Sequence, residues 1–349
     1  MRNSIFSYII NTIFATAAAV LQLAAAVLLA AAPLSAQAKT MTPDPMLVVE
    51  ETPQTPAWLS PEDADRLWIQ ETPQPSLPKV IDRVNYPNLW QDFAFAKGAK
   101  VLDIWMPDIR DADAAVLKYE DDIWMIDCGE ERAGEKLQAM LRQLGISRID
   151  KMFNSHPHHD HLNGLEQVDE VAKVRELLIC FPEDSTASMV KAMELAKERN
   201  IRVTHYEDDD VYVMGDEQVE LTFWLKAGKD RTMNDQSAQT MLTYGEARML
   251  FTADMERPGQ RDLLAAVGPE ALKADILKYP HHGKMTTDDA YLAAVDPDLV
   301  VITNYYRAGE SWYYLAVKHI DMAYTNKVNV FLHLATDGKH WIAEYVPYE

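Results

Sequence analysis

Four of the ten histidines in this 349-residue chain lie within six consecutive positions, in the segment NSHPHHDHLNG at 154–164. The preceding segment IDKMFNS (149–155) is apolar and β-rich, which predicts a strand that runs directly into the cluster. Because Pro157 disfavours helical backbone for His156, we expect the cluster to form a loop at the end of this strand. Clustered histidines repel one another when protonated, so packing alone does not account for them. Imidazole and carboxylate are the ordinary ligands of Zn²⁺ or a similar divalent ion, and the cluster therefore predicts a metal site.

The side chains of this loop fall into two groups. On a loop, His156 and His158 can converge on one point, while Asp160 and His161 converge on another. His159 lies between the groups and is expected to face solvent or substrate. The sequence therefore indicates ligands for two neighbouring positions rather than one.

The spacing His156-x-His158-x-Asp160-His161 resembles the HxHxDH signature of the metallo-β-lactamase-fold hydrolases. Three later segments resemble the same family, and they occur in the family's order. They are MIDCGE with Asp127, MLFTADM with Asp254, and LKYPHHG with Lys278, His281 and His282. Each of the three is weak alone, whereas all four motifs in order are specific. The resemblance covers residues 98–346.

Two features point to one branch of this family. Paired histidines after an LK strand, and the stretch NDQSAQTMLTYG at 234–245, are similar to the extracytoplasmic domain of ComEC-type competence proteins and its stand-alone relatives. The resemblance thus implies a stand-alone exported member of a ComEC-like branch.

The resemblance also implies a centre for two divalent metal ions, with Zn²⁺ favoured and Mn²⁺ as the alternative. The implied ligands are His156, His158, Asp160, His161, Asp254, His281 and His282. The two histidines of HxH would hold the first ion. The aspartate and histidine that follow them, with one of the paired histidines, would hold the second. The carboxylate at 254 has two oxygens and can bridge the ions.

The catalytic candidates are Asp160, Lys278 and Asp127. Asp127 is expected to accept a hydrogen bond that orients a histidine or the bound hydroxide, although a turn or helix N-cap residue fits the sequence equally well. Lys278 could face a substrate phosphate and offset negative charge in the transition state, and the alternative is a solvated lysine at a strand end.

The chain departs from the family at one point. Many members supply a further histidine to the first ion from the stretch that here runs from Asn234 to Ser237, and this stretch contains none. The first site would then have fewer nitrogen ligands and bind its ion more weakly. His205 is a conceivable substitute, but an ordinary strand histidine is the better interpretation of IRVTHY.

From about residue 93, strand patterns and helix patterns form two successive groups. This order predicts an α/β (α+β) fold, a four-layer αββα sandwich of two mixed β-sheets with helices outside. The ligand-like residues fall at the C-terminal ends of strands, where open α/β architectures build their sites. The predicted helices cover 133–145, 185–200, 257–273 and the segment SWYYLAVKHIDMAY at 311–324.

Residues 1–38 are interpreted as a signal peptide. No charge occurs between Arg2 and Lys39, and the apolar segment 12–32 is long enough to span a bilayer. Ala36-Gln37-Ala38 is a small-x-small site of the kind that signal peptidase cuts. An N-terminal membrane anchor that tethers the protein is the alternative. Either interpretation places the rest of the chain outside the cytoplasm, secreted, periplasmic or membrane-anchored.

Residues 39–92 are interpreted as a Pro-rich tether, because the near copies ETPQTP and ETPQP cannot hold a helix or a paired strand for long. Residues 93–349 would form the hydrolase domain. Cys128 and Cys180 lie in apolar, strand-like runs, and we expect small buried residues rather than a disulfide framework.

The chain carries 54 acidic and 33 basic residues, a net charge of −21. So negative a surface repels nucleic acid and anionic membranes, which disfavours long nucleic acid as a substrate. The sequence therefore predicts an exported metal-dependent hydrolase that cleaves a phosphoester with a metal-bound hydroxide, in a nucleotide, a nucleic acid or, preferably, a small-molecule or envelope-bound substrate. An amide, thioester or β-lactam hydrolase is one alternative, and a non-catalytic metal-binding display module is another.

Overall fold

The computed structural model describes residues 95–216 and 218–349. The signal peptide and the tether predicted for residues 1–92 lie outside this part of the chain and stay predictions. Among the described residues, no helix combines the length and the apolar character needed to cross a membrane.

The described residues form seventeen strands. In chain order they are β1 (Leu102–Met106), β2 (Ala114–Tyr119), β3 (Asp122–Cys128), β4 (Arg148–Ile149), β5 (Lys151–Phe153), β6 (Lys173–Val174), β7 (Glu176–Ile179), β8 (Arg202–His205), β9 (Val211–Met214), β10 (Val219–Trp224), β11 (Gln239–Tyr244), β12 (Ala247–Phe251), β13 (Ile276–Lys278), β14 (Leu299–Tyr305), β15 (Asp321–Asn326), β16 (Val330–Thr336) and β17 (Trp341–Pro347).

The same residues form eight α-helices and two short 3₁₀ turns. The helices are α1 (Gly134–Gln143), α2 (His159–Leu162), α3 (Leu165–Val171), α4 (Ala187–Arg199), α5 (Arg257–Val267), α6 (Pro269–Leu272), α7 (Asp289–Val295) and α8 (Ser311–Val317), and the 3₁₀ turns are Glu131–Ala133 and Pro280–Gly283.

The strands form two large mixed sheets and one small pair. The first sheet has the order β17-β16-β1-β2-β3-β5-β7-β8 and the second the order β15-β14-β13-β12-β11-β10-β9, while β4 pairs with β6. In each large sheet one part is antiparallel and the other parallel. The pairs β3–β5 and β12–β13 belong to the parallel parts, so their C-terminal ends point the same way within each sheet.

Alternating side chains of the strands build three hydrophobic layers. Ile104 and Ile126 lie in the core shared by the two sheets, whereas Trp105 and Met125, their neighbours in sequence, pack in a second core with helices α1, α3 and α4. A third core lies between the second sheet and helices α5 to α8. Successive strand residues face opposite sides, so strands covered on both faces are apolar throughout. The predicted αββα sandwich of two mixed sheets is confirmed.

Two predicted helices are wrong in extent. The helix expected over 311–324 ends at Val317, and Asp321–Asn326 instead forms edge strand β15, parallel to β14. His319 between them has a φ of 58°, which is incompatible with a continuing helix. The helix expected over 257–273 is divided into α5 and α6 at Gly268, whose φ is +79°.

The histidine cluster is only partly a loop. The chain is extended at His158, with φ −80° and ψ 157°, and then enters the one-turn helix α2 at His159. Pro157 therefore affects only the residues around it, and Asp160 and His161 project from helical backbone. Cys128 and Cys180 are both free thiols, Cys128 buried and Cys180 half-buried.

His333 on β16 forms a half-buried charge cluster outside the histidine motifs. Its Nδ1 lies 2.7 Å from Oε1 of Glu344 on β17, and its Nε2 lies 2.8 Å from Oδ1 of Asp103 on β1. Burial alone would lower the pKa of His333, but the two carboxylates outweigh burial and raise it to about 9.

This cluster makes stability depend on pH in a definite direction. Because the folded-state pKa exceeds the unfolded value near 6.5, the stabilisation is full below pH 6.5 and is lost as pH rises through 9. At about 1.4 kcal/mol per pKa unit, about 3 kcal/mol is at stake. We predict that the free energy of unfolding of wild type minus that of His333→Gln falls by about this amount between pH 6.5 and 9.5. Parallel pH profiles for the two proteins, measured by urea denaturation, would contradict it.

Candidate metal centre

The four histidine and aspartate motifs meet at one edge of the sandwich. His156 and His158 follow β5, Asp127 is the penultimate residue of β3, and Asp254 follows β12. The paired histidines occupy the 3₁₀ turn after β13. The turn is held to the Asp254 loop by a hydrogen bond from the amide of His281 to the carbonyl of Ala253, 2.9 Å.

Asp254 lies at the centre of the cluster, and its two carboxylate oxygens face different neighbours. Oδ1 lies 3.2 Å from Nε2 of His161 and 3.3 Å from Nε2 of His282. Oδ2 lies 3.9 Å from Nε2 of His156 and 3.7 Å from Nε2 of His281. The residue is 1% exposed. One carboxylate therefore separates two groups of imidazoles.

The candidate ligand atoms form two sets that share Asp254. The first set is His156, His158 and Asp254, and the second is Asp160, His161, Asp254 and His282. Within each set the nitrogen and oxygen atoms lie within 4.8 Å of one another. The structure thus brings together the residues named from the sequence, and it groups His282, rather than His281, with Asp160 and His161.

Asp127 binds both the loop and the ring of a ligand histidine. It accepts hydrogen bonds from the amide and the hydroxyl of Ser155, at 2.8 and 2.6 Å, and from the side-chain amide of Asn154 at 3.1 Å. Its Oδ2 also lies 2.8 Å from Nδ1 of His161. A carboxylate on Nδ1 fixes the ring and the tautomer, which leaves Nε2 free to bind a cation.

Asp113, which no sequence motif marks, holds His282 in the same way. The residue immediately precedes β2, and its Oδ1 lies 3.1 Å from Nδ1 of His282. Thr303 lies 3.1 Å from the same nitrogen. The position of Asp113 follows from the register of the β2–β3 hairpin, in which Ala114 pairs with Cys128 and places Asp113 beside the end of β3.

Lys278 is enclosed in the protein, so the interpretation as a solvated lysine at a strand end is wrong. The side chain is 2% exposed, forms an ion pair with Asp113, and donates a hydrogen bond to the carbonyl of Ala253 at 3.0 Å. β13 is a central strand covered on both faces, so a lysine at its end is enclosed between the sheets. Lys278 therefore neutralises Asp113 beneath the site.

The buried charges of the cluster fit a pair of cations. Lys278 offsets one of four buried carboxylates, which leaves Asp127, Asp160 and Asp254 among imidazoles. Several uncompensated charges in a protein interior are very costly. Nε2 of His161, Nε2 of His282 and Oδ1 of Asp254 are buried and have no hydrogen-bond partner among the described residues. Nitrogen and oxygen lone pairs that converge in this way, with no hydrogen-bond donor facing them, form the kind of ligand set that divalent metal ions bind.

The pKa shifts also indicate a demand for positive charge. Burial alone would lower the pKa of His282, but Asp254 and Asp113 outweigh burial and raise it to about 10. In contrast, burial holds the pKa of His156 well below its usual value. His156 is therefore a neutral imidazole with a lone pair to donate, and the carboxylates around His282 favour a cation at its position.

A sequence profile of the Metallo-beta-lactamase superfamily matches residues 108–303, more than half of the chain. The chain belongs to the metallo-β-lactamase superfamily. Members of this superfamily are typically metal-dependent hydrolases that bind divalent ions, commonly zinc, and the histidine and aspartate cluster of this member is its candidate metal centre.

Relatives with curated names match a short part of this superfamily member. The zinc phosphodiesterase ELAC protein 1 of Mus musculus and that of Homo sapiens are each 46% identical to it over 56 residues, which is 16% of this chain and 15% of theirs. The chain thus spans less than a sixth of the length of these relatives.

Solved structures resemble this superfamily member over a larger share. The metallo-beta-lactamase fold protein YhfI from Bacillus subtilis is 13% identical, with a TM-score of 0.44 over 64% of this chain and 96% of its own. MEM-A1, a subclass B3 metallo-beta-lactamase from a soil metagenome library, is 17% identical, with a TM-score of 0.39 over 58% and 83%.

Two further histidines lie away from the ligand sets of this superfamily member. His159 is exposed, as expected for the variable position of the motif. His205 is exposed on β8, with its nearest carboxylate, Glu183, 3.7 Å away, so it does not substitute for the histidine missing from 234–237.

Proposed function

We propose that this protein is an exported hydrolase of the superfamily that cleaves phosphoesters at a centre of two divalent metal ions. The proposal depends on the position of the Asp254 carboxylate, whose Oδ1 faces one set of imidazoles and whose Oδ2 faces another. A shared carboxylate between two ligand sets is the arrangement that two-metal hydrolytic sites use. Zn²⁺ is the favoured ion, because nitrogen donors outnumber carboxylates in the first set.

The chain's own residues would hold the ions as follows. His156, His158 and Asp254 would form the first site, and Asp160, His161, Asp254 and His282 the second. When bound, the two ions would lower the pKa of a water molecule towards neutrality and offset negative charge on the attacking and leaving oxygens.

The surrounding residues keep this donor set in position. Asp127 fixes the ring of His161 and Asp113 fixes that of His282, each through Nδ1, so that both Nε2 atoms point towards Asp254. Lys278 holds Asp113 in its ionised form, because the ammonium group and His282 lower the pKa of that carboxyl against the effect of burial. The site is therefore preorganised before a substrate arrives.

A substrate would approach beside the first site. His158 and His281 are half-buried, whereas His156, His161 and His282 are fully buried. The open side of the cluster thus lies next to the residues around Oδ2 of Asp254. Since Lys278 is enclosed, the charge of a phosphoester would be offset by the ions and not by this lysine.

Three observations support a phosphoester as the substrate class. Two-metal centres are common in phosphatases and nucleases. The short match to a protein named zinc phosphodiesterase points in the same direction. The paired histidines after β13 resemble the ComEC-like branch, to which we assign the protein. Export is proposed from the apolar segment 12–32 and the Ala36-Gln37-Ala38 site.

The proposal is tested by assaying the full-length protein with bis(p-nitrophenyl) phosphate after reconstitution with Zn²⁺ or Mn²⁺. We expect turnover that a chelator abolishes and that added metal restores. A chromogenic cephalosporin and a thioester are assayed in parallel, because the superfamily fold also hosts those reactions. Metal-dependent cleavage of either of these, without cleavage of a phosphoester, would contradict the proposed substrate class. Two bound ions without turnover of any substrate would instead indicate a display module.

A further inference from the structure

We propose that His281 supplies the third nitrogen ligand of the first metal site through Nε2, in place of the histidine that the stretch 234–237 lacks. The inference deepens the proposed function and rests on it for the presence of two ions. His281 lies outside both compact ligand sets, but its ring faces Oδ2 of Asp254, the oxygen on the side of the first set.

His281 lies beside Asp254 on the side of the first site. Its Nε2 lies 3.7 Å from Oδ2, and Nε2 of His156 lies 3.9 Å from the same oxygen. The two rings therefore flank the oxygen that belongs to the first site. His161 and His282 lie at Oδ1 instead, at 3.2 and 3.3 Å. With His281 included, each oxygen of Asp254 has two imidazole nitrogens beside it.

Three histidines of the cluster each have a carboxylate beside Nδ1. Nδ1 of His161 faces Asp127 at 2.8 Å, and Nδ1 of His282 faces Asp113 at 3.1 Å. In His281, Nδ1 faces Oε1 of Glu256 at 3.1 Å, within ion-pair range although without the alignment of a full hydrogen bond. A carboxylate at Nδ1 favours the tautomer whose lone pair is on Nε2, which is the form that binds a metal ion.

The stretch 234–237, which contains no histidine, contacts the carboxylate beside His281. The side-chain amide of Asn234 donates to Oε1 of Glu256 at 3.4 Å, the same oxygen that faces His281. The stretch therefore reaches the first site indirectly, because Asn234 positions the carboxylate that positions the ring. A direct ligand from 234–237 is replaced by one from the turn after β13.

The backbone supports this role. His281 and His282 have φ values of 47° and 51°, a left-handed conformation that is rare and unfavourable for side chains with a Cβ. Such strain persists where the surroundings impose it, commonly at ligand sites. The two left-handed residues in succession direct one ring to each oxygen of Asp254.

The experiment measures Zn²⁺ binding by the full-length protein at buffered free Zn²⁺, with metal content read by mass spectrometry. Each substitution is made in two backgrounds, His282→Ala, which impairs the second site, and His156→Ala, which impairs the first. In the His282→Ala background, where the first site is intact, we expect His281→Ala to weaken Zn²⁺ binding at least 10-fold. In the His156→Ala background, where the second site is intact, we expect it to leave Zn²⁺ binding unchanged. Glu256→Gln should weaken Zn²⁺ binding to the first site about 10-fold, as loss of a carboxylate behind a ligand histidine does. His205→Ala, on an exposed strand, is the control.

A second readout avoids dependence on activity or on a single variant. In the Co²⁺-substituted protein, His281→Ala should change the visible absorption of the first site, and Glu256→Gln should change it in the same sense. Unchanged affinity and unchanged Co²⁺ spectra in both variants would overturn the inference, even if hydrolysis fell. Weakened binding in a protein that cleaves no phosphoester would sustain the inference while the proposed substrate class failed.

Discussion

Replacing Asp113 with alanine is expected to lower the free energy of unfolding by about 3–5 kcal/mol, the range for breaking a buried ion pair by removing one partner. The substitution leaves the ammonium group of Lys278, 2% exposed, without its carboxylate. Chemical denaturation in the presence of a chelator measures the effect on the protein without contributions from bound metal.

A second substitution tests the cause. Lys278→Met in the Asp113→Ala background removes the unpaired charge with a side chain of similar length, so we expect most of the loss to be recovered. His282 still lacks its partner in the double variant, and its metal affinity should stay about 10–100-fold below that of wild type. Asp262→Ala, which breaks the ion pair with the exposed Arg231, is the control and should change the free energy of unfolding little, because solvent screens exposed pairs. A loss below about 1 kcal/mol in Asp113→Ala would contradict the interpretation of Lys278 as a buried charge.

Replacing Asp254 with asparagine is expected to abolish metal-dependent hydrolysis and to reduce bound metal from two ions to at most one. The reason is that Asp254 is the residue shared by both ligand sets. Asparagine has nearly the same shape, so a comparison of the metal-free variant with metal-free wild type shows whether the fold is kept. Turnover, metal content and thermal unfolding with and without Zn²⁺ are measured together.

The stability measurement separates a lost site from a lost fold. Wild type should gain stability with Zn²⁺, because a ligand that binds only the folded state stabilises it in proportion to the logarithm of its concentration. Asp254→Asn should lose most of this gain, and Asp262→Asn should keep it. A variant that retains two ions and full turnover would show that Asp254 does not bridge the sites.

Most of the sandwich could be predicted from local patterns. The segment DIWMIDC of β3 has the pattern of a strand, since its apolar run is bounded by charged and glycine residues. β15 could not be predicted, because the spacing of apolar residues in 311–324 fits a helix as well as it fits a strand. The free edge of β14 decides the conformation of Asp321–Asn326, and an edge is a property of the sheet rather than of the segment.

The candidate ligands could be predicted because consecutive motifs carry them, whereas the residues behind them could not. Asp113 lies in ADAAVL, where nothing distinguishes it from any aspartate in a turn. The burial of Lys278 depends on β13 being a central strand beneath a second sheet, and the sequence of β13 does not contain that information. Ion pairs between distant segments follow from packing, so they appear only when the layers are assembled.

The most direct measurement is an anomalous-difference map from crystals grown with Zn²⁺, recorded on both sides of the zinc absorption edge. We predict two peaks in each molecule, one between His156, His158 and Asp254, and one between Asp160, His161 and His282. No peak at this edge of the sandwich, or zinc bound only at other residues, would contradict a two-metal hydrolytic centre in this protein.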